Sequence, residues 1–457
     1  MNIDSILHLY KESYYNLPVP IKSFFGELYG NIPLNIRFGK DYNIQKSILE
    51  KFDNGTEQFK LDYMFNKTYE TLHFAYEHIP YYKRIFDECD FKLSTFHDFN
   101  DLKKIPFLTK KIILENIDEL YTNKFDKPVS ITTGGSTWHP MKFYVPLKVS
   151  RAKEKAYLLN VFKKIGYSYR DRTLVFRDFT FSTPQKNIYW GYEKVENYLT
   201  ISSEYIDAEY VGYMIDEIKK FNPRYIYSYP STLQLFVKAC QDIGIEKLDG
   251  FRGIALTSEN VPTSYITLFQ NFFDCDIVSQ YGHSERVSVA WRINNNNYNF
   301  MNSYGLVQID NQEIIGTSFD NLVMPFIRYK TKDLVSDITY FPQTEIVSSV
   351  GNIDGRIQEF LVTKKKNLLC ATQLSFQKLS QQPSVTAMQL YQDKVGYLTI
   401  LIQSKKRDSL LKENILKEAK NITDKFDYKV EFVDDMKRTI RGKWIYCIQK
   451  LDIEKYR

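Results

Sequence analysis

Apolar residues in the first part of the chain recur at helical spacing. Between residues 58 and 78, Phe59, Leu61, Met64, Phe65, Tyr69, Leu72 and Ala75 fall three and four positions apart, which predicts an amphipathic helix. Pro80 ends it, because proline has no N–H to continue the ladder. Thr109 is placed to cap another helix over 110–120. From about residue 127 the pattern changes to short β-rich runs alternating with helical ones. Strands are expected at 128–131, 172–177, 224–228, 252–257 and 275–279, and helices at 208–221, 231–243 and 263–273. The 231–243 helix gathers Leu233, Phe236, Val237, Cys240 and Ile243 on one face. This β-α-β-α-β order predicts a parallel sheet covered by helices. Ligands of such sheets bind beyond the carboxyl ends of the strands.

Between about 299 and 350 the strands come closer together and are linked by turns. After Gly355 a shorter α+β pattern follows, with strands at 387–392, 397–402, 428–433 and 444–449 and a helix near 409–420. The expected class is α/β: a large N-terminal domain of parallel and mixed sheets layered with helices plus a β-rich subdomain over 1–354, and a small α+β C-terminal domain over 355–457. No internal repeat is visible.

Composition narrows the function classes. The 457 residues suit two or three domains, and 43% hydrophobic with 25% charged residues describe an ordered globular protein. The 35 Tyr and 32 Phe read as composition bias rather than as an aromatic-binding surface. A net charge of +6, spread along the chain, suits anionic ligands such as nucleotides and is too small and diffuse for a nucleic-acid partner. Lys364, Lys365 and Lys366 read as a solvated turn. Cys89, Cys240, Cys275, Cys370 and Cys447 form no CxxC pair, so neither a zinc site nor a disulfide framework is expected, and a reducing cytoplasm is. No basic region followed by an apolar stretch opens the chain, and no run of about 20 apolar residues exists to span a membrane. The aromatic segment 17–29 is expected to pack against the domain rather than lie on a membrane surface.

Five loops carry candidate chemistry. Residues 131–143 (ITTGGSTWHPMKF) follow a predicted strand with two glycines, several hydroxyls and Lys142. Glycine lets backbone N–H groups approach a phosphate, although the spacing is not that of the GxxxxGK[ST] loop. Residues 280–285 (QYGHSE) offer the Tyr281 ring to a purine and the Glu285 carboxylate to magnesium. Residues 324–335 (MPFIRYKTKDLV) place Asp333 where a carboxylate can accept from two ribose hydroxyls. Residues 353–360 (IDGRIQEF) hold a Gly-Arg pair suited to a hinge, and 438–443 (RTIRGK) present Lys443 in a glycine turn. Each loop taken alone is equally a plain turn with solvated side chains.

Taken in order, the five resemble the core motifs of the adenylate-forming superfamily: a Ser/Thr/Gly phosphate loop, a YGxTE-type motif, an RTGD motif, a GRxxD hinge and a late GK lysine. The segments LPVPIKSFFGELYG (17–30), HIPYYKRIF (78–86), LKKIPFLTK (102–110), YSYPSTLQ (227–234), LTSENVP (256–262), EIIGT (313–317) and MPFIRY (324–329) look like the phenylacetate–CoA ligase-like branch, which includes adenylate-forming proteins of capsular polysaccharide biosynthesis. The resemblance spans nearly the whole chain. It implies that Thr132, Thr133, Gly134, Gly135, Ser136 and Thr137 wrap the phosphates of ATP. Ser258 and Glu259 would line the adenine, and Tyr281 would stack on it. Ser284 would contact phosphate, and Glu285 would hold Mg2+. Asp333 and Arg356 would hold the ribose, Glu359 would be the hinge residue, and Lys443 the catalytic lysine of a mobile C-terminal lid.

The reaction so implied is adenylation of a small-molecule carboxylate, followed by transfer to a thiol, such as that of coenzyme A, or to an amine. Charge accumulates on phosphate oxygens and the leaving group, so magnesium and a lysine suffice without a general base. His283 suits a structural or polar-wall role. Three residues depart from the family pattern: Trp138 and Lys332 stand where glycine is usual, and Glu359 replaces aspartate. Trp138 and Lys332 support an alternative reading, a catalytically impaired scaffold that binds a nucleotide or a protein. Retention of Lys443 argues against it.

Overall fold

A computed structural model of the chain describes residues 3–4, 14, 17–124, 128–132, 141–177, 186–258, 261, 263–353, 360–371, 374, 376, 379, 382, 384–404, 406–437 and 447–456. They divide into two compact units. The larger contains Met1–Thr132, Met141–Pro230 and Cys240–Arg356; the smaller contains Ile357–Arg457 and the segment Ser231–Ala239.

In the larger unit, helix Glu57–His78 begins at Thr56, whose side chain accepts from the Phe59 N–H at 3.2 Å. Met64, Thr68, Leu72 and Ala75 form its buried stripe, and Pro80 opens the next helix, Pro80–Glu88. Thr109 caps Ile112 at 3.3 Å, but the helix it starts is only Lys110–Glu115. Asn116 turns its side-chain amide onto the Ile112 carbonyl at 2.9 Å, the local competition that makes asparagine a poor helix residue, and a 3-10 turn Ile117–Glu119 follows. Many of the aromatic rings are core: Tyr82, Phe86, Phe143, Phe326 and Tyr329 belong to one buried cluster.

In the segment 17–29, helix Val19–Asn31 does pack on the domain, through buried Gly26 and Gly30, but its large apolar residues Ile21, Phe24, Phe25 and Leu28 are exposed and make no part of that contact.

Strands β1 (Pro128–Thr132) and β2 (Lys142–Pro146) pair as an antiparallel hairpin, with Thr132 opposite Lys142. The main sheet is built from β3 (Thr173–Arg177), β4 (Trp190–Glu193), β5 (Tyr198–Ser202), β6 (Tyr225–Ser228), β7 (Gly253–Thr257), β8 (Asp276–Gly282), β9 (Val289–Ile293), β10 (Tyr298–Phe300), β11 (Gly305–Asp310), β12 (Glu313–Ser318), β13 (Tyr329–Tyr340) and β14 (Val347–Ile353). Its twelve strands run in the order β11-β12-β13-β14-β10-β9-β8-β7-β6-β3-β5-β4. The span from β5 to β8 is parallel, and β9 to β14 complete it in antiparallel pairing. Strands β3 and β7 are buried along four successive residues each, the pattern of strands covered on both faces. The crossovers from β6 to β8 use helices Pro230–Asp242 and Thr263–Phe273. The hairpin β4–β5 was not expected from periodicity; all five residues of β5 are buried and show no alternation.

The smaller unit has a hairpin, β15 (Phe360–Val362) with β16 (Leu368–Cys370), and a four-stranded sheet in the order β19-β18-β17-β20, from β17 (Val385–Lys394), β18 (Tyr397–Ser404), β19 (Asp427–Phe432) and β20 (Cys447–Gln449). Helix Ser409–Ile422 is capped by Asp408, which accepts from the Leu411 N–H at 2.8 Å, and buries Leu411, Ile415 and Ala419 in a core with Leu398, Ile400, Ile402 and Val430.

Candidate functional site

Register brings two of the five motif loops, 280–285 and 324–335, together in the larger unit, with Ser258 beside them. Strands β7 and β8 pair in parallel as far as Thr257 and Gln280, so Ser258 and Tyr281 follow side by side at the carboxyl ends of adjacent strands. The Tyr281 hydroxyl donates to Asp333 Oδ2 at 2.8 Å. Burial, followed by the Asp333 carboxylate, pushes the Tyr281 phenol well above its ordinary pKa, so it stays a donor. Its ring lies edge-on to His283 and Phe300.

Beyond β8 the chain turns sharply. The Arg286 N–H donates to the His283 carbonyl at 3.1 Å, and Arg286 adopts a left-handed backbone at φ 57°. The turn buries Glu285, 9% exposed, while Ser284 is half-buried. Glu285 Oε1 accepts from the Tyr329 hydroxyl at 3.1 Å, and Oε2 lies 3.6 Å from His283 Nδ1. His283 Nε2 is 3.3 Å from Ser288 Oγ, and its Nδ1 is buried without a hydrogen-bond partner. Two glycines seat the segment that follows. A Cβ at Gly305 would fall 2.2 Å from the Val287 carbonyl oxygen, and one at Gly316, the glycine of EIIGT, 2.3 Å from Val287 Cγ2. Any side chain there would displace Val287 and with it the Glu285 turn.

Strand β13 supplies the facing groups. Tyr329, Thr331 and Asp333 lie along it and reach Glu285, the Ile314 carbonyl (2.9 Å) and Tyr281 respectively. The Asp333 N–H donates to Thr331 Oγ1 at 3.2 Å. Lys332, between them, has φ 68° and an exposed side chain. Its N–H donates to Glu313 Oε1 at 2.8 Å. The lysine therefore adopts the left-handed conformation that glycine takes at least cost.

Of the other expected residues, Thr132 is exposed at the end of β1, and Ser258 is exposed at φ 67°. Thr133, Gly134, Gly135, Ser136, Thr137, Trp138, His139, Glu259, Arg356, Glu359 and Lys443 lie outside the described residues. Tyr329 was missed as a site residue. Periodicity gives no signal for it, because left-handed Lys332 and a register shift between Lys330 and Leu334 interrupt the alternation before Asp333. Ser279, on β8 before Tyr281, is buried with its Oγ unpartnered. Burial pushes the Cys240 thiol up to about 12, and burial with the flanking Asp276 and Asp274 does the same for Cys275, so neither is a nucleophile at neutral pH.

The residues present fit a magnesium ion. Among the described residues no three His, Cys, Asp or Glu side chains are grouped for a metal. A hard cation that takes most of its ligands from phosphate and water needs one or two carboxylates, and Glu285 is a buried one.

No family model matches the chain. Protein CapK of Staphylococcus aureus is 26% identical over 371 residues, covering 77% of this chain and 81% of that protein. A crystal structure of 2-hydroxyisobutyryl-CoA ligase, in complex with 2-HIB-AMP and CoA in the thioesterification state, matches with a TM-score of 0.55 at 12% identity. The match covers 87% of this chain and 91% of that one. At such identity the likeness establishes the fold. The chain therefore shares the fold of this CoA ligase and is similar in sequence to CapK.

Proposed function

We propose that the protein is an ATP-dependent ligase that adenylates a carboxylic acid and passes the acyl group to a thiol or an amine. The observation that carries this reading is the convergence of Tyr281, Asp333, Tyr329 and Glu285 from strands β8 and β13 and the turn after β8. It sets an aromatic ring and a carboxylate on one side for a nucleoside, and a second, buried carboxylate on the other for a phosphate-bound cation.

In the first half-reaction a carboxylate oxygen attacks the α-phosphorus of ATP. The bond to the bridging oxygen breaks and pyrophosphate leaves with its electron pair, giving acyl-AMP. In the second, the thiol or amine attacks the acyl carbon and AMP leaves. Asp333, oriented by the Tyr281 donor, accepts from the ribose hydroxyls, and Arg356 adds a second ribose contact. Tyr329 fixes the rotamer of Glu285. Magnesium bound there supplies positive charge to the phosphate oxygens. Thr132 to Thr137 donate to the phosphates, and Ser258 and Glu259 line the base. Lys443 stabilises the charge developing on the transferred phosphate, then withdraws with residues 355–457 about Glu359 to admit the acceptor. Coenzyme A and an amino group on a sugar or amino acid are the acceptors consistent with this chemistry. The CapK relative supports a place in surface-polysaccharide biosynthesis.

Thermal stabilisation by magnesium-ATP tests the nucleotide site without knowledge of the acid. A ligand that binds the native state alone raises the midpoint. A shift that disappears in Asp333→Ala supports the assignment. Equal shifts in both proteins would reject it, and no shift at millimolar ATP would favour the impaired scaffold.

A further inference from the structure

The N-terminal helix Val19–Asn31 is built inside out. Its domain-facing side is small: Gly26 and Gly30, one turn apart, are both buried. A Cβ at Gly26 would lie 3.4 Å from Lys194 Cβ and 3.6 Å from Val195 Cγ2, and one at Gly30 only 2.5 Å from the Val195 carbonyl oxygen. The helix backbone therefore rests directly on the chain following β4. Polar ties hold it there. Glu27 pairs with Arg170 at 2.6 Å, the Tyr29 hydroxyl donates to Asp4 at 2.8 Å, and the Arg37 guanidinium lies 4.0 Å above the Tyr29 ring.

The large apolar residues point the other way. Ile21, Phe24, Phe25 and Leu28 are spaced i, i+3, i+4 and i+7, and are 45%, 61%, 51% and 53% exposed. Pro18 and Pro20 are exposed at the start of the helix. Core packing explains none of these side chains, because the helix is already anchored by its opposite face.

We propose that this stripe docks the protein on an anionic lipid surface. Two observations favour lipid over a second copy of the chain. The first is area. With large side chains of roughly 200 Å2 each, Ile21, Phe24, Phe25 and Leu28 at about half exposure offer about 400 Å2 of apolar surface, short of the ~800 Å2 per partner that a stable protein interface needs. It is ample for a helix lying in the headgroup boundary, where no complementary groove is required. The second is charge. Lys22 is the one lysine of the helix. Within the helix the one carboxylate, Glu27, is already neutralised by Arg170. The chain as a whole carries +6. Aromatic rings at the boundary and lysines toward phosphate headgroups are the pattern that peripheral helices use.

Flotation of the full chain with phosphatidylcholine vesicles, with and without 30 mol% phosphatidylglycerol, tests this (about 30 mol% gives a strongly anionic surface). The double variant Phe24→Ser/Phe25→Ser leaves the glycine face and its ion pair in place. Expected are binding to the anionic vesicles, weaker binding to neutral ones, and a loss of about tenfold or more in the variant, whose magnesium-ATP thermal shift is unchanged. Wild type that stays with the soluble fraction on anionic vesicles overturns the proposal. So does undiminished binding by the variant. A concentration-dependent dimer in light scattering that the variant abolishes, without vesicle binding, assigns the stripe to a second copy instead. Should the double variant fold poorly, Leu28→Ser alone, at the edge of the stripe, is expected to weaken vesicle binding in the same direction.

Discussion

The hydrogen bond between Tyr281 and Asp333 makes a sharp demand on any nucleotide bound here. Tyr281→Phe keeps the ring, and with it any stacking on a base, and removes one donor at 2.8 Å from the carboxylate. A hydrogen bond to a charged group is worth about 1.5–3 kcal/mol. Asp333 is half-exposed and can rehydrate, so the lower end applies and about 1.5 kcal/mol is expected. That converts to roughly tenfold weaker magnesium-ATP binding if the tyrosine acts by orienting the carboxylate toward the ribose. Isothermal titration of wild type, Tyr281→Phe, Asp333→Asn and the double variant forms the cycle. In the Asp333→Asn background the phenylalanine should cost little, because the charge its hydroxyl served has gone. Additive losses, with a coupling below about 0.5 kcal/mol, would refute the orienting role. They would leave Tyr281 as a base platform independent of Asp333.

Three further outcomes are expected. Lys443→Ala should abolish acid-dependent pyrophosphate exchange yet largely preserve the reaction of supplied acyl-adenylate with its acceptor; equal loss of both half-reactions would remove the mobile-lid role. Lys332→Gly should raise the melting temperature of the free protein, because the left-handed backbone costs a lysine about 1–2 kcal/mol and glycine gives back part of that in chain entropy, for a net gain of about 1 kcal/mol. A lower melting temperature would show that the lysine side chain contributes more than its backbone strain costs. The third concerns Asp320. Burial raises its pKa, but the Lys153 ammonium at 3.1 Å and Lys67 at 3.4 Å outweigh this and hold it below the ordinary range. A folded-state value depressed below the unfolded one gives stability that is complete above the unfolded value of about 3.9 and lost as pH falls through the folded one. Melting temperature should therefore fall less steeply from about pH 5 to pH 3 in Asp320→Asn than in wild type, and parallel slopes would count against the pairing.

Local periodicity was enough to read most of the framework. Helices Glu57–His78, Val211–Phe221 and Thr263–Phe273 and strands β3, β6 and β7 stand where spacing put them, because each carries its own apolar face or run. Strand β5 carries no such signal. It is buried throughout, and a short continuous apolar run reads alike as strand or as buried helix until its neighbours are known. The glycine-faced helix misled for the complementary reason. Its large apolar residues are where a reader expects a core, while the contact is made by residues with no side chain, and only the approach of Val195 reveals it.

The site divides in the same way. Residue types in order were enough to single out Tyr281, Glu285 and Asp333 as candidates, since a nucleotide needs a ring and carboxylates whatever holds them. Only the tertiary structure decided that Tyr281 is bonded to Asp333 across 52 residues of sequence, that Tyr329 supports Glu285, and that Lys332 adopts a glycine's backbone. Chemistry of single residues is local and survives in a linear reading. Pairings made by strand register depend on which strands become neighbours, and that is fixed by packing of the whole sheet.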